Sequence, residues 1–129
     1  ELLLHPKCLV AGIGCNRGTD TKEILNLLYQ TFDKNELALK SLRAIATIEA
    51  KKEEAGLIQA ALRLGVELLF FNKNELATVS APNPSSLVES YMGVGSVCEA
   101  AAILATGRGR LIVPKIKSKN ATIAVALGF

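Results

Sequence analysis

The sequence predicts an α/β fold: a three-layer α/β/α domain with a mixed five-stranded sheet and a C-terminal β-hairpin. Apolar runs of strand length alternate with segments whose apolar residues recur at helical spacing, an order typical of a sheet covered by helices. Two further apolar runs, joined by a short polar turn, end the chain and indicate the hairpin. With 129 residues, half of them hydrophobic and 21% charged, the chain has the size and composition of a single domain.

The first strand and helix are predicted on either side of a glycine-rich turn. Residues 8–13 (CLVAGI) are a continuous apolar run, typical of a strand buried on both faces. Residues 20–32 carry apolar side chains at helical spacing, which predicts an amphipathic helix. Thr19 or Asp20 is the expected N-cap, and Asp20 followed by Glu23 has the spacing of a capping box.

The next elements repeat this strand and helix order. A short helical segment is predicted at 36–42 and a second strand at 43–49. A helix over 55–64 is expected to end at Gly65, because glycine readily adopts the left-handed conformation that ends helices. Residues 66–72 (VELLFFN) then predict a third strand.

Proline and serine mark the elements that follow. Two prolines at 80–85 predict a loop, since proline removes a backbone donor and restricts its neighbour. Ser86 with Glu89, and Ser96 with Glu99, have the spacing of capping boxes that begin two helices. That position explains Glu99 without a catalytic role.

The last two strands are predicted at 110–117 and 121–128. Strand alternation places Lys115 and Lys117 on one face together with Val113. These lysines suit a ligand with several carboxylates, and they equally suit the protection of an exposed sheet edge. Both interpretations stay open.

Charge is distributed unevenly along the chain. Residues 1–99 contain ten Lys or Arg and twelve acids, a net −2, whereas residues 100–129 contain five basic residues and no acid, a net +5. The basic end predicts a surface that faces anions. Nucleic acid is not the expected partner, because the six aromatic residues are not interleaved with the basic ones. No uncharged stretch is long enough for a transmembrane helix, so no membrane association is expected.

Cysteine usage gives no metal site. Three cysteines and one histidine lack the spacing of metal ligands, so we predict no bound metal and reduced thiols in a cytoplasmic protein. The chain begins at Glu1, and its single methionine is Met92. We therefore expect residues 1–129 to be one domain excised from a longer protein.

The glycine-rich segment between the first strand and helix is the sharpest local motif. It lacks the glycine of a dinucleotide fingerprint, because Arg17 occupies that position, and it lacks the lysine of a P-loop. It is either a tight turn or a place where backbone approaches a ligand. Cys15 is a possible nucleophile, but no histidine lies near it in sequence, which favours a structural thiol. The candidate binding residues here are Gly12, Gly14, Cys15, Arg17, Gly18 and Thr19.

Polar residues at the end of the second strand complete the candidate site. Parallel strands end at the same edge of a sheet, so Thr47 and Glu49 are expected to share a cleft with the glycine-rich segment. A carboxylate at a strand end can act as a general base, and Glu49 is the candidate. We interpret the following charged residues, including Glu53 and Glu54, as a solvated loop.

Six motifs in order resemble a known family, the C-terminal domain of CbiG, which also stands alone as CobE. The resemblance spans residues 8–127, and its order and spacing are more specific than any one motif. Glu49 stands where the family pattern has aspartate, and Lys119 and Asn120 replace the glycines of the final turn. The motifs are GIGCNRGT (12–19), ATIEAK (46–51), EAGL (54–57), PNPS (82–85), GVGSVCEAAA (93–102) and PKIKS (114–118).

The resemblance implies a role in cobalamin (vitamin B12) biosynthesis. CbiG is cobalt-precorrin-5A hydrolase, a carbon–carbon hydrolase that opens the δ-lactone of a cobalt-corrinoid and releases acetaldehyde. The implied partners are the cobalt-corrinoid intermediate, an N-terminal region of the same protein and other corrin-pathway enzymes. No cofactor is implied, because cobalt belongs to the substrate. The alternative is a non-catalytic module that binds a corrinoid intermediate and hands it on, as CobE suggests.

Overall fold

The computed structural model describes residues 8–78, 94–107 and 109–128, and its centre is a five-stranded sheet. The strands lie in the order β3-β2-β1-β5-β4. β1, β2 and β3 are parallel, β5 runs antiparallel to β1, and β4 and β5 form the C-terminal hairpin. The predicted mixed sheet is therefore confirmed. Its strands are β1 (Leu9–Cys15), β2 (Leu42–Ile48), β3 (Glu67–Phe71), β4 (Arg110–Lys117) and β5 (Ala121–Leu127).

Helices cover both faces of this sheet. Two short 3-10 segments, Leu39–Ser41 and Glu49–Lys51, lie on either side of β2. None of the helices in the described part of the chain is long and apolar enough to cross a membrane. The predicted loop at 80–85 and the predicted capping box at Ser86 lie outside the described residues. The helices are α1 (Thr21–Lys34), α2 (Ala55–Leu64), α3 (Lys73–Ala77) and α4 (Val94–Ala105).

Two hydrophobic clusters, one on each face, hold the three layers together. On one face, Ile24 and Leu28 of α1 and Leu57 of α2 pack with larger sheet residues such as Ile45 and Ile123. On the other face α4 packs against a cluster in which alanines predominate. The alanines on α4 and on the sheet, such as Ala101, Ala44 and Ala126, leave little side-chain volume between the two layers, which allows α4 to approach the sheet closely.

Both predicted capping boxes in the described residues are wrong in part. Asp20 is the N-cap of α1, as expected, and its Oδ1 accepts from the backbone N of Lys22 at 3.2 Å. Glu23 does not return to Asp20; its carboxylate binds a distant turn. The second box fails because α4 begins at Val94, which places Ser96 inside the helix. The carboxylate of Glu99 instead accepts from the backbone N of Lys115 at 3.0 Å.

The alternation predicted for β4 is also wrong in part. Its pairing with β5 shifts register between Leu111 and Val113, and again between Val113 and Ile116. These irregularities move Val113 into the same cluster as Ile116, away from the lysines. At each shift β4 has one residue more than β5, which reverses the alternation of its side chains between the two faces. The periodicity of the sequence does not reveal such a shift.

Candidate functional site

Three segments meet at the edge of the sheet where β1 and β2 end. The two strands are parallel neighbours, so the residues that follow them lie at the same edge. β5 pairs antiparallel with β1, with Cys15 opposite Ala121, which brings the β4–β5 turn to that edge as well. We call residues 16–20, 49–54 and 118–120 together the carboxyl rim.

The first segment of the rim is fastened to the hairpin turn through Asn16 and Asn120. The backbone N of Asn16 donates to the carbonyl oxygen of Asn120 at 2.8 Å. The side-chain amide of Asn16 donates to Oδ1 of Asn120 at 3.3 Å. The hydroxyl of the buried Thr19 donates to the carbonyl oxygen of Asn16 at 2.6 Å, which fixes the conformation of the loop.

The first segment also contacts the segment that follows β2. The backbone N of Gly18 donates to Oε2 of Glu54 at 2.5 Å. The hydroxyl of Thr21 donates to the carbonyl oxygen of Gly56 at 3.2 Å. The glycine-rich segment and the end of β2 are therefore neighbours, as the parallel arrangement predicts. Glu54, interpreted from sequence as part of a solvated loop, joins the two segments.

Glu23 of α1 anchors the turn from the other side. Its Oε2 accepts from the Ser118 hydroxyl at 2.5 Å and from the backbone N of Asn120 at 2.7 Å. Its Oε1 accepts from Nδ2 of Asn120 at 3.0 Å. The pKa of Glu23 is lowered from its usual value, chiefly by the hydrogen bond from Ser118 and then by those from Asn120. The carboxylate is therefore charged at neutral pH.

The candidate residues divide into an exposed and a buried group. Arg17, Gly18 and Glu49 are exposed on or beside the rim, and Lys115 and Lys117 are exposed on β4. Ile116 between these lysines packs into the cluster formed with α1 and α2, so both lysines lie on the α4 face. The buried candidates are Gly12, Gly14, Cys15, Thr19 and Thr47.

Cys15 is enclosed beneath the rim. It belongs to β1 and is 1% exposed. Burial raises the pKa of its thiol, and nearby Lys51 and the Thr19 hydroxyl offset this only in part. A raised pKa reduces the thiolate that a nucleophile needs, so these observations favour the structural interpretation of Cys15.

Thr47 lies in β2 with no exposed surface. Its Oγ1 has no hydrogen-bond partner among the residues that the structure describes. Strand alternation places it on the same face as Ile45, which packs with α1 and α2. Thr47 therefore lies beneath the rim, whereas Glu49 is exposed in the 3-10 segment directly after β2.

Two other possible kinds of site among the described residues are a metal site and a cavity. No group of three His, Cys, Asp or Glu side chains in residues 8–78, 94–107 and 109–128 is placed to hold a metal ion. A cavity of about 710 Å³ lies beside the last turns of α1 and is lined by Tyr29, Phe32, Leu37 and Lys40, among others. It contains none of the candidate residues and adjoins the start of β2, at the opposite edge of the sheet.

Sequence reasoning missed the residues that assemble the rim. Asn16, Glu23, Glu54, Ser118 and Asn120 all make contacts between segments. Glu23 and Asn120 are 97 positions apart in the chain. The spacing of Asp20 and Glu23 gave a sufficient local explanation for this carboxylate, and no local pattern indicates a distant partner.

Comparison with known proteins gives the family. Residues 9–126 match the family described as "Cobalamin synthesis G C-terminus". The chain is 41% identical over 126 residues to a cobalt-precorrin-5A hydrolase of Priestia megaterium, covering 98% of this chain and 34% of that protein. It is 36% identical over 121 residues to protein CobE of a Sinorhizobium species, covering 92% of this chain and 79% of that protein. The chain thus spans about a third of the length of the hydrolase and most of CobE.

The fold agrees with this assignment. The crystal structure of CobE, a protein from the cobalamin (vitamin B12) biosynthetic pathway, superposes with a TM-score of 0.79 at 34% identity. The match covers 99% of this chain and 95% of the CobE chain. The chain therefore belongs to the cobalamin synthesis G C-terminal family, a family of cobalamin biosynthesis.

Proposed function

We propose that this domain binds a cobalt-corrinoid lactone at the carboxyl rim and, within the full-length protein, takes part in opening that lactone. The proposal extends to this chain the activity named for its hydrolase relatives. The observation that carries it is the width of the polar edge. Glu49 follows β2, whereas Lys115 and Lys117 lie on β4, three strand positions away. At about 4.8 Å per strand this is roughly 14 Å, a span suited to a macrocycle with peripheral carboxylates.

The exposed charges suit such a ligand. Arg17 is an exposed cation within the glycine-rich segment, and Lys115 and Lys117 supply two more on the α4 face of β4. Cations recognise carboxylates through charge-assisted hydrogen bonds. In this arrangement the lysines bind acetate or propionate groups on one side of the ring, and Arg17 binds another peripheral carboxylate two strand positions away, beside the end of β1.

Glu49 is the proposed general base. Water adds to the lactone carbonyl as Glu49 takes its proton, and the acyl C–O bond breaks to give a carboxylic acid and a hydroxyl group. Release of acetaldehyde then needs cleavage of a carbon–carbon bond next to that hydroxyl. The hydroxyl proton leaves, the C–C electron pair passes to the macrocycle, and the macrocycle takes up a proton. An enzyme that carries out these steps is a carbon–carbon hydrolase.

The decisive experiment supplies the cobalt-bearing lactone to the full-length protein and to the 129-residue chain. Acetaldehyde is measured by enzymatic detection, and binding is measured by visible absorbance of the corrinoid. Acetaldehyde from the full-length protein supports the hydrolase function, and its absence at saturating substrate overturns it.

A corrinoid-binding module without catalysis is the second candidate. It is supported by the CobE structure, 95% of whose chain matches this domain, because the same fold there exists without a further large region. Under this alternative both forms bind the corrinoid and neither releases acetaldehyde. A full-length protein that turns over the lactone, and loses that turnover without losing corrinoid binding in Glu49→Ala, excludes it.

A further inference from the structure

Glu23 links three elements at the carboxyl rim. It stands in the first turn of α1 and accepts three hydrogen bonds from the β4–β5 turn, one from Ser118 and two from Asn120. A carboxylate that only capped its own helix would bind backbone N–H groups of that helix. Here both oxygens are engaged by a turn almost 100 positions away in the chain.

Asn120 carries this contact on to the glycine-rich segment. Its side-chain NH2 group donates to Glu23, whereas its side-chain oxygen accepts from Asn16. Its backbone N–H donates to Glu23 as well, and its carbonyl oxygen accepts from the backbone N of Asn16. Every polar group of Asn120 is therefore used, and its position depends on Glu23 and Asn16 together.

Exposed cations are the immediate neighbours of these anchored residues. Arg17 follows Asn16, Lys119 precedes Asn120, and Lys117 ends β4 directly before the turn; all three are exposed. Cations gathered at one edge repel one another, and a fixed carboxylate beneath them offsets that repulsion. The hydrogen bonds from Ser118 and Asn120 favour the charged form of Glu23 and lower its pKa further below neutral.

We propose that Glu23 is a positioning residue for substrate carboxylates, holding the β4–β5 turn against the glycine-rich segment so that Arg17, Lys117 and Lys119 form one cationic surface. This inference rests on the proposed function, since the ligand is a corrinoid polycarboxylate. Glu23 does not touch that ligand. Its effect passes through Ser118, Asn120 and Asn16.

For Glu23→Gln, the inference predicts weaker corrinoid binding, whereas the change of charge alone predicts stronger binding. Glu23→Gln removes a negative charge, and on charge alone this strengthens the binding of a polyanion. If Glu23 positions the turn, the substitution weakens binding, because the amide of glutamine cannot accept the hydrogen bonds that both carboxylate oxygens accept. Apparent affinity falls with the fraction of protein in the competent arrangement, so a turn held about a fifth of the time weakens binding about fivefold.

The test titrates the chain with cobyrinic acid, a cobalt corrinoid with free acetate and propionate carboxylates, followed by visible absorbance. The matched control is Glu67→Gln, which removes the same charge at an exposed position at the start of β3. We expect Glu23→Gln to raise the dissociation constant about fivefold, and Glu67→Gln to leave it unchanged or to lower it. Equal or tighter binding by Glu23→Gln overturns the inference.

Ser118→Ala provides a second variant that removes one donor to Glu23 and leaves the carboxylate in place. It should weaken binding less than Glu23→Gln does, and the double variant should bind no more weakly than Glu23→Gln alone, because both act through one network. Additive losses contradict the shared network. If the unsubstituted chain does not bind cobyrinic acid, the corrinoid binding in the proposed function fails for this domain. If the chain binds and Glu23→Gln binds equally well, only the positioning role fails.

Discussion

Gly12 of β1 and Cys98 of α4 lie so close that a Cβ atom on Gly12 would stand 1.9 Å from the carbonyl oxygen of Cys98. The same Cβ would stand 2.9 Å from the backbone N of Ala102. Both atoms belong to a helix backbone, so neither can turn away as a side chain does. Gly12 therefore has a packing reason to be glycine, independent of any ligand.

Gly12→Ala should destabilise the domain by about 3 kcal/mol, because an added methyl in a closely packed interface forces the backbone to shift. Denaturant unfolding of the variant and the unsubstituted chain measures this difference. The control is Gly65→Ala, where φ is +70° but no atom lies within 4 Å of the new Cβ. It should cost only about 1 kcal/mol, from the left-handed backbone alone. Equal losses in the two variants would contradict the close approach of α4.

The limits of the strands follow well from local sequence. β1 and β2 are nearly continuous apolar runs, and their predicted limits of 8–13 and 43–49 agree with Leu9–Cys15 and Leu42–Ile48 to within about two residues. Helix α2 begins and ends as predicted, because Gly65 closes it with φ of 70°. In each case the deciding interaction is local.

Long-range contacts account for what the sequence did not predict. Glu99 has the spacing of a cap and instead binds the backbone of β4. Glu54 belongs to a charged stretch typical of a solvated loop, and its carboxylate instead accepts a hydrogen bond from the backbone N of Gly18. In both cases the local pattern gives the carboxylate a sufficient explanation, and only the folded arrangement brings its distant donor within reach.

Glu49→Ala in the full-length protein should reduce the rate of acetaldehyde release by at least about 100-fold, the usual contribution of a general base. Glu49 is exposed directly after β2, so its loss should leave stability nearly unchanged. Glu53→Ala is the matched control, an exposed carboxylate in the same segment with no proposed role. An unreduced rate in Glu49→Ala removes this residue from the mechanism.

Thiol labelling tests the structural interpretation of Cys15. Burial raises the pKa of Cys15 from its usual value of 9.0, and burial raises that of Cys98 to about 12. At pH 8 both thiols therefore stay protonated in the folded protein, and both are buried. We expect iodoacetamide to label only the partly exposed Cys8 in native protein, and all three cysteines after unfolding.

Mass spectrometry of digested samples assigns the labelled sites. Preincubation in guanidinium chloride is the positive control for reagent and peptide recovery. Labelling of Cys15 in native protein as fast as that of Cys8 would show an accessible thiolate and would restore Cys15 as a candidate nucleophile.

The last prediction separates the two interpretations of the lysines on β4. Replacing Lys115 and Lys117 together by glutamine should raise the dissociation constant for cobyrinic acid roughly fivefold, at about 0.5 kcal/mol for each exposed ion pair. Added salt should reduce this difference, since charges are screened over about 10 Å at 0.1 M ionic strength. The control replaces Lys34 and Lys40, two exposed lysines at the opposite edge, and should bind as the unsubstituted chain does.

β4 is an edge strand, so protection of that edge remains the alternative role. In that case the Lys115 and Lys117 variant binds the corrinoid normally and self-associates, which sedimentation velocity detects. The register shifts on either side of Val113 already interrupt the ladder of β4, and Glu99 occupies the backbone N of Lys115. These features protect the edge without the lysine charges, so we expect the variant to stay monodisperse and to lose affinity.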